Sequence, residues 1–313
     1  VQFYDDAAAL DVQTRDASGA WQTVVQTDGA FLAAYAAVDA GAKTVRIRPK
    51  DGKGRLFIAE LRVLGEGDAP GWVQQWQAPL EKAGLLALAA HPDDEILFLG
   101  GTIPYYAGEM GKAVQVAYLV PTMPYRRLEL LDGLWLCGVR NYPILGHFPD
   151  QFQLTLKGMY AQKGWSRESV YRFVTEVYRA CRPDVVVTQD VNGEYGHGAH
   201  RAAADAAQAA VALAADASYQ KKMAHSEPWQ IKKLYIHLYE QNPVKMDWRK
   251  PLAAFDGQTA FDVACRAFAC HVSQQKTDYH VEDFGPYDNS RFGLAFSAIG
   301  EDTRKDDFFE HVE

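Results

Sequence analysis

The feature that most constrains the fold is a short polar motif that directly follows an apolar run. Residues 85–90 are all Leu or Ala, which is typical of a buried strand, and residues 91–95 then read His-Pro-Asp-Asp-Glu. Proline and carboxylates favour the first turn of a helix, because that turn needs no proline N–H and its positive end attracts negative charge. The sequence therefore predicts an imidazole and two carboxylates where a strand ends, the edge at which open α/β sheets bind ligands.

A second junction of the same kind follows later in the chain. Residues 185–188 are three valines and a threonine, typical of a core strand, and residues 189–196 form a turn rich in Gly and Asn. His197 and His200 then open an Ala-rich stretch that favours a helix, where residues three apart share a face. The simpler interpretation of the first motif is a helix N-cap with an incidental histidine, and the second junction argues against it.

Together the two junctions predict a metal site. His91, Asp94 and one of His197 or His200 give two imidazoles and a carboxylate with an open water position, the pattern of catalytic zinc, while Asp93 stays free as a base. Fe²⁺ or Co²⁺ would accept the same ligands. A structural zinc site normally uses cysteines, and the four cysteines lie outside these motifs without CxxC spacing: Cys137, Cys181, Cys265 and Cys270.

The wider pattern predicts two different parts of the chain. From residue 84 onward apolar strands alternate with helical stretches, which indicates a Rossmann-like, doubly wound, mostly parallel α/β sheet. No G-x-G-x-x-G follows its first strand, so a dinucleotide is not implied. Residues 1–68 contain short alternating strands and predict a small all-β sandwich domain, with residues 69–83 as a linker and docking segment.

Charge and hydropathy exclude two classes of partner. The net charge of −8, without a basic stripe, argues against nucleic acid, and no apolar run is long enough for a transmembrane helix. The chain begins at Val1 rather than Met, so the sequence leaves localisation open; a secreted or periplasmic bacterial location is favoured over a cytoplasmic one.

Five motifs in one order resemble the PIG-L family, also called LmbE-like deacetylases. They are AHPDDE at 90–95, the R-x-x-E helix at 126–129 with Gly-Val at 138–139, LGHFPD at 145–150, YGHGAH at 195–200 and HVSQ at 271–274. The resemblance extends from about Gly84 to the C-terminus. The first 68 residues are partly similar to the second half of a discoidin-like module, for which we favour a structural role over sugar binding.

The resemblance implies a role for each matching residue. Zinc, one ion per chain, would be bound by His91, Asp94 and His200. Asp93 would be the general base, and His197 and Tyr195 would assist the tetrahedral intermediate or the leaving amine. The substrate would be bound by Arg126 and Asp150.

These roles imply a metal-dependent hydrolase that removes the N-acetyl group from an N-acetylated amino sugar of the N-acetylglucosamine type. The alternatives are a non-catalytic glycan-binding protein and an amidase that acts on a non-sugar acetamide. Asp93 and His197 argue against the first alternative, because binding alone requires neither.

One position departs from the family pattern. The family usually has Asp or Asn directly before the second histidine, where this chain has Ala199. That side chain orients the catalytic histidine, so we expect another acid, Glu194 or Asp190, within hydrogen-bond reach of His197.

Overall fold

The computed structural model describes residues 1–4, 7–39, 41–121, 123–219, 224–225 and 227–312, and the chain divides into two compact units. The first unit is Val1–Gln77 and the second is Ala78–Glu313. This boundary falls inside the linker segment expected at residues 69–83. The finer division into 1–68, 69–83 and 84–313 stays a prediction.

The first unit contains two small antiparallel sheets. Its strands are β1 (Gln2–Phe3), β2 (Leu10–Arg15), β3 (Trp21–Gln26), β4 (Val45–Pro49) and β5 (Ile58–Glu60). One sheet has the order β3-β2-β4 and the other pairs β1 with β5. The turn between β2 and β3 is closed by Asp16, whose carboxylate accepts hydrogen bonds from the N–H groups of Ser18 and Ala20. The short alternating strands are confirmed, whereas a sandwich of the two sheets stays a prediction.

The second unit is built on a seven-stranded, mostly parallel sheet. Its strands are β6 (Leu85–Ala89), β7 (Val114–Tyr118), β8 (Ile144–Leu145), β9 (Val185–Thr188), β10 (Lys233–His237), β11 (Pro243–Lys245) and β12 (Arg291–Ser297). The order is β11-β12-β10-β9-β6-β7-β8, in which only β11 and β12 pair antiparallel with their neighbours. The mixed α/β class expected for this part is confirmed.

The strand order places a crevice between β6 and β9. From β6 the chain adds β7 and β8 on one side, and it then returns to add β9 and β10 on the other. The connections that leave the carboxyl ends of β6 and β9 therefore diverge, which opens a ligand-binding crevice at this point of a doubly wound sheet. The motif at residues 91–95 leaves β6 there, and the segment 189–200 leaves β9.

Helices cover the sheet and enclose its core. They are α1 (Asp94–Leu97), α2 (Pro124–Leu136), α3 (Leu156–Tyr160), α4 (Arg167–Cys181), α5 (Gly198–Ala215) and α6 (Ala260–Ala269), with a π-helix at Pro104–Glu109. The small side chains of α5 are buried in one core cluster with valines of α4 and β9. Within the described residues, no helix has both the length and the apolar character needed to cross a membrane.

Candidate active site

The first junction is folded tightly by its own carboxylates. Asp94 opens α1, and its side chain accepts a hydrogen bond from the backbone N–H of His91 at 2.8 Å. Asp93, just before the helix, has a φ of 110°, a region that residues other than glycine rarely adopt. Its backbone N–H donates to Glu95 Oε2 at 2.9 Å, which helps to hold this conformation. As a result, Asp93 and Asp94 are adjacent in sequence but make different contacts.

The structure brings together the three residues expected to bind a metal. Asp94 Oδ2 lies 3.1 Å from His91 Nδ1 and 3.3 Å from His200 Nε2, and all three side chains are buried. Ligand atoms held about 2.0–2.1 Å from zinc at tetrahedral angles lie roughly 3.3–3.4 Å apart. Asp94 Oδ2 therefore lies at ligand spacing for a zinc-like ion from a nitrogen of each histidine.

A second ligand set shares two of these residues. Ring nitrogens of His91, His197 and His200 all lie within 4.8 Å of one another, so His197 competes with Asp94 for the third ligand position. We favour Asp94, because its oxygen is at ligand spacing from both other residues and its charge offsets that of the cation. The Nδ1 atom of His197 is moreover occupied, since it accepts a hydrogen bond from the backbone N–H of Ala199.

Glu194 fixes the orientation of the His200 ring by accepting a hydrogen bond from it. Its Oε2 accepts a hydrogen bond from His200 Nδ1 at 2.8 Å, and its Oε1 accepts one from His237 Nδ1 at 2.6 Å. Burial alone would raise the pKa of Glu194, but the hydrogen bonds from the two histidines lower it to about 2. The carboxylate is thus ionised, and it directs His200 Nε2 toward Asp94, as the outer carboxylates of metal-bound histidines do.

Asp93 is paired with Arg126 rather than with the residues expected to bind a metal. Arg126 Nη2 donates to Asp93 Oδ2 at 2.9 Å and to the carbonyl of Pro92 at 2.6 Å. Burial and the neighbouring charge of Asp94 raise the pKa of Asp93 to about 7, against the opposing effect of Arg126. A carboxyl group with such a pKa can exchange protons near neutrality. The substrate contact expected of Arg126 stays a prediction.

His197 has neither of the acidic partners expected for it. Both oxygens of Glu194 are taken by His200 and His237, and Asp190 accepts a hydrogen bond from the backbone N–H of Asn192. The expectation of a replacement acid was therefore wrong. The reason is that His197 is the N-cap of α5, and its Nδ1 accepts the N–H of Ala199. Burial, with the nearby positive charges of His91 and His200, lowers the pKa of His197 to about 3.

The two other predicted residues lie beside the histidines expected to bind a metal. The hydroxyl of Tyr195 is 3.4 Å from His200 Nε2, and burial raises the pKa of that hydroxyl. Tyr195 has a φ of 44° within the turn that contains Gly193 and Gly196. Asp150 Oδ1 is 3.8 Å from His91 Nε2, and its side chain is about half exposed. Asp150 is therefore accessible beside His91.

A buried polar cluster lies behind Asp93. His271 Nε2 is 3.8 Å from Glu95 Oε1, and both side chains are fully buried. Burial and the charge of Asp93 raise the pKa of Glu95 to about 8, and burial lowers that of His271 to about 3. At neutral pH Glu95 is therefore protonated and His271 is neutral. The cluster joins two of the sequence motifs, at residues 91–95 and 271–274, behind the same carboxylate.

Comparison with known proteins identifies the family. Residues 86–211 match the family PIG-L, described as GlcNAc-PI de-N-acetylase. A protein of Frankia casuarinae named 1D-myo-inositol 2-acetamido-2-deoxy-alpha-D-glucopyranoside deacetylase 1 is 30% identical over 221 residues, which cover 58% of this chain and 68% of that protein. The chain belongs to the PIG-L family.

Other similarities of this PIG-L chain are more distant or shorter. The 1D-myo-inositol 2-acetamido-2-deoxy-alpha-D-glucopyranoside deacetylase of Streptomyces scabiei is 32% identical over 185 residues, and the match covers 50% of this chain and 57% of that protein. The chain thus spans little more than half the length of this relative. The solved N,N'-diacetylchitobiose deacetylase of Pyrococcus horikoshii is 20% identical with a TM-score of 0.46, covering 67% of this chain and 77% of that one.

Sequence reasoning missed one residue of this PIG-L site altogether. His237 is the last residue of β10, and it bonds Glu194 from a strand that neighbours β9. The sequence signal that could have found it is a histidine at the carboxyl end of a predicted parallel strand. His91 likewise lies just after the carboxyl end of β6. Glu194 was predicted only as a partner of His197. A turn separates Glu194 from His200 in the sequence, so the sequence does not show that their side chains meet.

Proposed function

We propose that this protein is a metal-dependent hydrolase that removes the N-acetyl group from an N-acetylated amino sugar of the N-acetylglucosamine type. The observation that carries the proposal is the position of Asp94 Oδ2, 3.1 Å and 3.3 Å from nitrogens of His91 and His200, beside a carboxylate that is not needed as a ligand. The family description and the names of the relatives, which specify de-N-acetylation of glucosamine derivatives, support the same reaction.

The metal would be held by His91, Asp94 and His200, with Glu194 fixing the ring of His200. Zinc is the expected ion, and Fe²⁺ or Co²⁺ would suit the same ligands. When bound, such an ion supplies Lewis acidity that polarises a carbonyl and lowers the pKa of water. The protein's own residues then perform the proton transfers.

Asp93 is the general base in this proposal. One of its oxygens is held by Arg126, so the other is available to take a proton from the attacking water. A pKa of about 7 also allows the protonated carboxyl to return that proton to the departing amine. We therefore assign both proton transfers to Asp93.

His197 acts as a neutral hydrogen-bond donor. Because its Nδ1 accepts the N–H of Ala199, the neutral ring carries its proton on Nε2. That N–H can stabilise negative charge on the substrate oxygen without a positively charged ring, as an oxyanion hole does. The missing carboxylate at Ala199 is consistent with this role, since a neutral donor needs no partner to stabilise a cation.

The proposal is tested by measuring acetate release from N-acetylglucosamine glycosides, including the inositol glycoside, and from simple acetamides. We expect release from the glycosides by the metal-loaded protein and little release by Asp93→Asn. A matched control is Asp306→Asn, which removes an exposed carboxylate that lies 3.6 Å from Arg304. Release from the acetamides alone would point to an amidase. Glycoside binding without release would point to a glycan-binding protein, and either result would reject the proposal.

A further inference from the structure

An apolar surface adjoins the candidate active site on the segment from Asp150 to Leu154. Exposure alternates along it, with residues 150, 152 and 154 exposed and the two glutamines between them partly buried. Phe152 is 64% exposed and Leu154 is 54% exposed. We call Phe152 and Leu154 the apolar ridge. Asp150, beside His91, forms its polar end.

The ridge is held firmly against the start of α5. The backbone N–H of Gly198 donates to the carbonyl of Gln153, between the two ridge residues. A Cβ on Gly198 would lie 2.9 Å from that same oxygen, so the close approach requires glycine here. At the other end of the segment, Trp165 Nε1 donates to the carbonyl of Pro149 at 2.9 Å. The exposed side chains are therefore presented by an anchored backbone.

The ridge is continuous with the rings of the site. Phe152 packs edge-on against His197, with ring centroids 5.1 Å apart. His197 contacts Tyr195 at 5.6 Å, and Tyr195 stacks on Tyr279 at 4.8 Å. Leu154 extends the surface, because a Cβ on Gly196 would lie 3.7 Å from its Cδ2. The result is an aromatic row that ends in exposed apolar groups on the side of Phe152.

This surface fits an apolar group of the substrate better than a polyol. Neither Phe152 nor Leu154 carries a hydrogen-bonding group, so hydroxyls placed on them would lose water without gaining partners. An aryl or alkyl group would instead bury apolar area on both sides, which is favourable in water. Building on the proposed function, we propose that the apolar ridge binds an aryl or alkyl aglycone of the N-acetylated sugar.

The test compares phenyl and methyl glycosides of N-acetylglucosamine. Binding is measured by calorimetry with the metal-loaded Asp93→Asn variant, and kcat/KM is measured with the wild-type protein. We expect the phenyl glycoside to be preferred by about tenfold or more, given the usual effect of small apolar groups in such subsites. The double variant Phe152→Ala/Leu154→Ala should bring this ratio close to one. Met110→Ala, which truncates another half-exposed apolar side chain, is the matched control and should keep the ratio.

The binding measurement separates this inference from the proposed function. A phenyl preference in binding that disappears in the double variant supports the ridge even if no acetate is released, and in that case only the proposed reaction fails. Equal binding and turnover of the two glycosides would overturn the inference while leaving the reaction intact. A preference that survives in the double variant would also overturn it.

Discussion

Asp93 and Arg126 form a largely buried ion pair, with Arg126 Nη2 2.9 Å from Asp93 Oδ2. The pair links the first motif to the start of α2, and the same guanidinium nitrogen also donates to the carbonyl of Pro92. Arg126 thus restrains both the side chain and the preceding backbone of the residue with a φ of 110°. The guanidinium therefore contacts Asp93, the proposed base, in the protein without substrate.

Asp93→Asn should separate catalysis from metal binding. The amide keeps the shape of the side chain and can still accept a hydrogen bond from Arg126, but it cannot take a proton. We expect kcat to fall by roughly 10²-fold or more, as for loss of a general base, with the metal content nearly unchanged. Steady-state kinetics and elemental analysis of the same preparation measure both quantities. Loss of the metal would mean that Asp93 is itself a ligand.

Arg126→Met should show which partner the guanidinium serves. If it positions Asp93, kcat should fall by about 10- to 100-fold with little change in KM, because small displacements of a catalytic group are costly. If it holds the sugar, as the family resemblance implies, KM should rise instead. The ion pair leads us to expect the first result. Arg127→Met, at the neighbouring position of α2, is the matched control.

The sequence predicted which residues meet at the edge of the sheet better than it predicted their hydrogen-bond partners. His91, Asp94 and His200 follow two strands that it identified, and the carboxyl ends of neighbouring parallel strands lie at one edge of a sheet. The hydrogen bond between Glu194 and His237 depends on which strand lies next to β9, and local patterns do not specify strand order. The sequence predicted an acidic partner for His197, whereas its ring accepts a hydrogen bond from the N–H of Ala199 in its own helix.

The first unit illustrates a further limit. Alternating residues predicted strands at 10–14, 21–25 and 44–48, and the structure has β2, β3 and β4 there. The alternation continues over residues 56–65, where the structure assigns strand only to Ile58–Glu60, paired with β1. An alternating pattern shows that a segment can be a strand, but its surroundings decide how much of it pairs.

Glu194→Gln should weaken metal binding without removing a ligand. The amide can offer only one acceptor oxygen, so it cannot serve His200 and His237 as the carboxylate does. We expect the metal affinity to fall by about 10- to 100-fold, the usual effect of losing an outer partner. His237→Asn should have a smaller effect, because His200 keeps its carboxylate. Competition with a chelating dye measures each affinity, and an unchanged affinity in Glu194→Gln would contradict the role of this residue.

Protein purified without chelator should contain close to one equivalent of a divalent metal per chain. Removal by a chelator should abolish acetate release, and zinc should restore it. Occupancy should fall in acid, because protons compete for the ring nitrogens of His91 and His200. His200→Ala should lose the metal, whereas His197→Ala should retain it. Loss of the metal from both variants would make His197 the third ligand in place of Asp94.

In the metal-free protein, the ring of His197 should stay neutral at pH values well below the ordinary histidine pKa of about 6.5. Its pKa is lowered to about 3 by burial and by the neighbouring imidazoles. The unfolded chain takes up this proton near pH 6.5, so between about 6.5 and 3 the unfolded state binds more protons than the folded state. The contribution of His197 to stability is therefore fully present above pH 6.5 and is lost as the pH falls toward 3. An NMR titration of the ring should find the proton on Nε2, with Nδ1 accepting the N–H of Ala199. A ring that becomes charged near pH 6.5 would contradict the neutral-donor role and restore the imidazolium as the acid for the leaving amine.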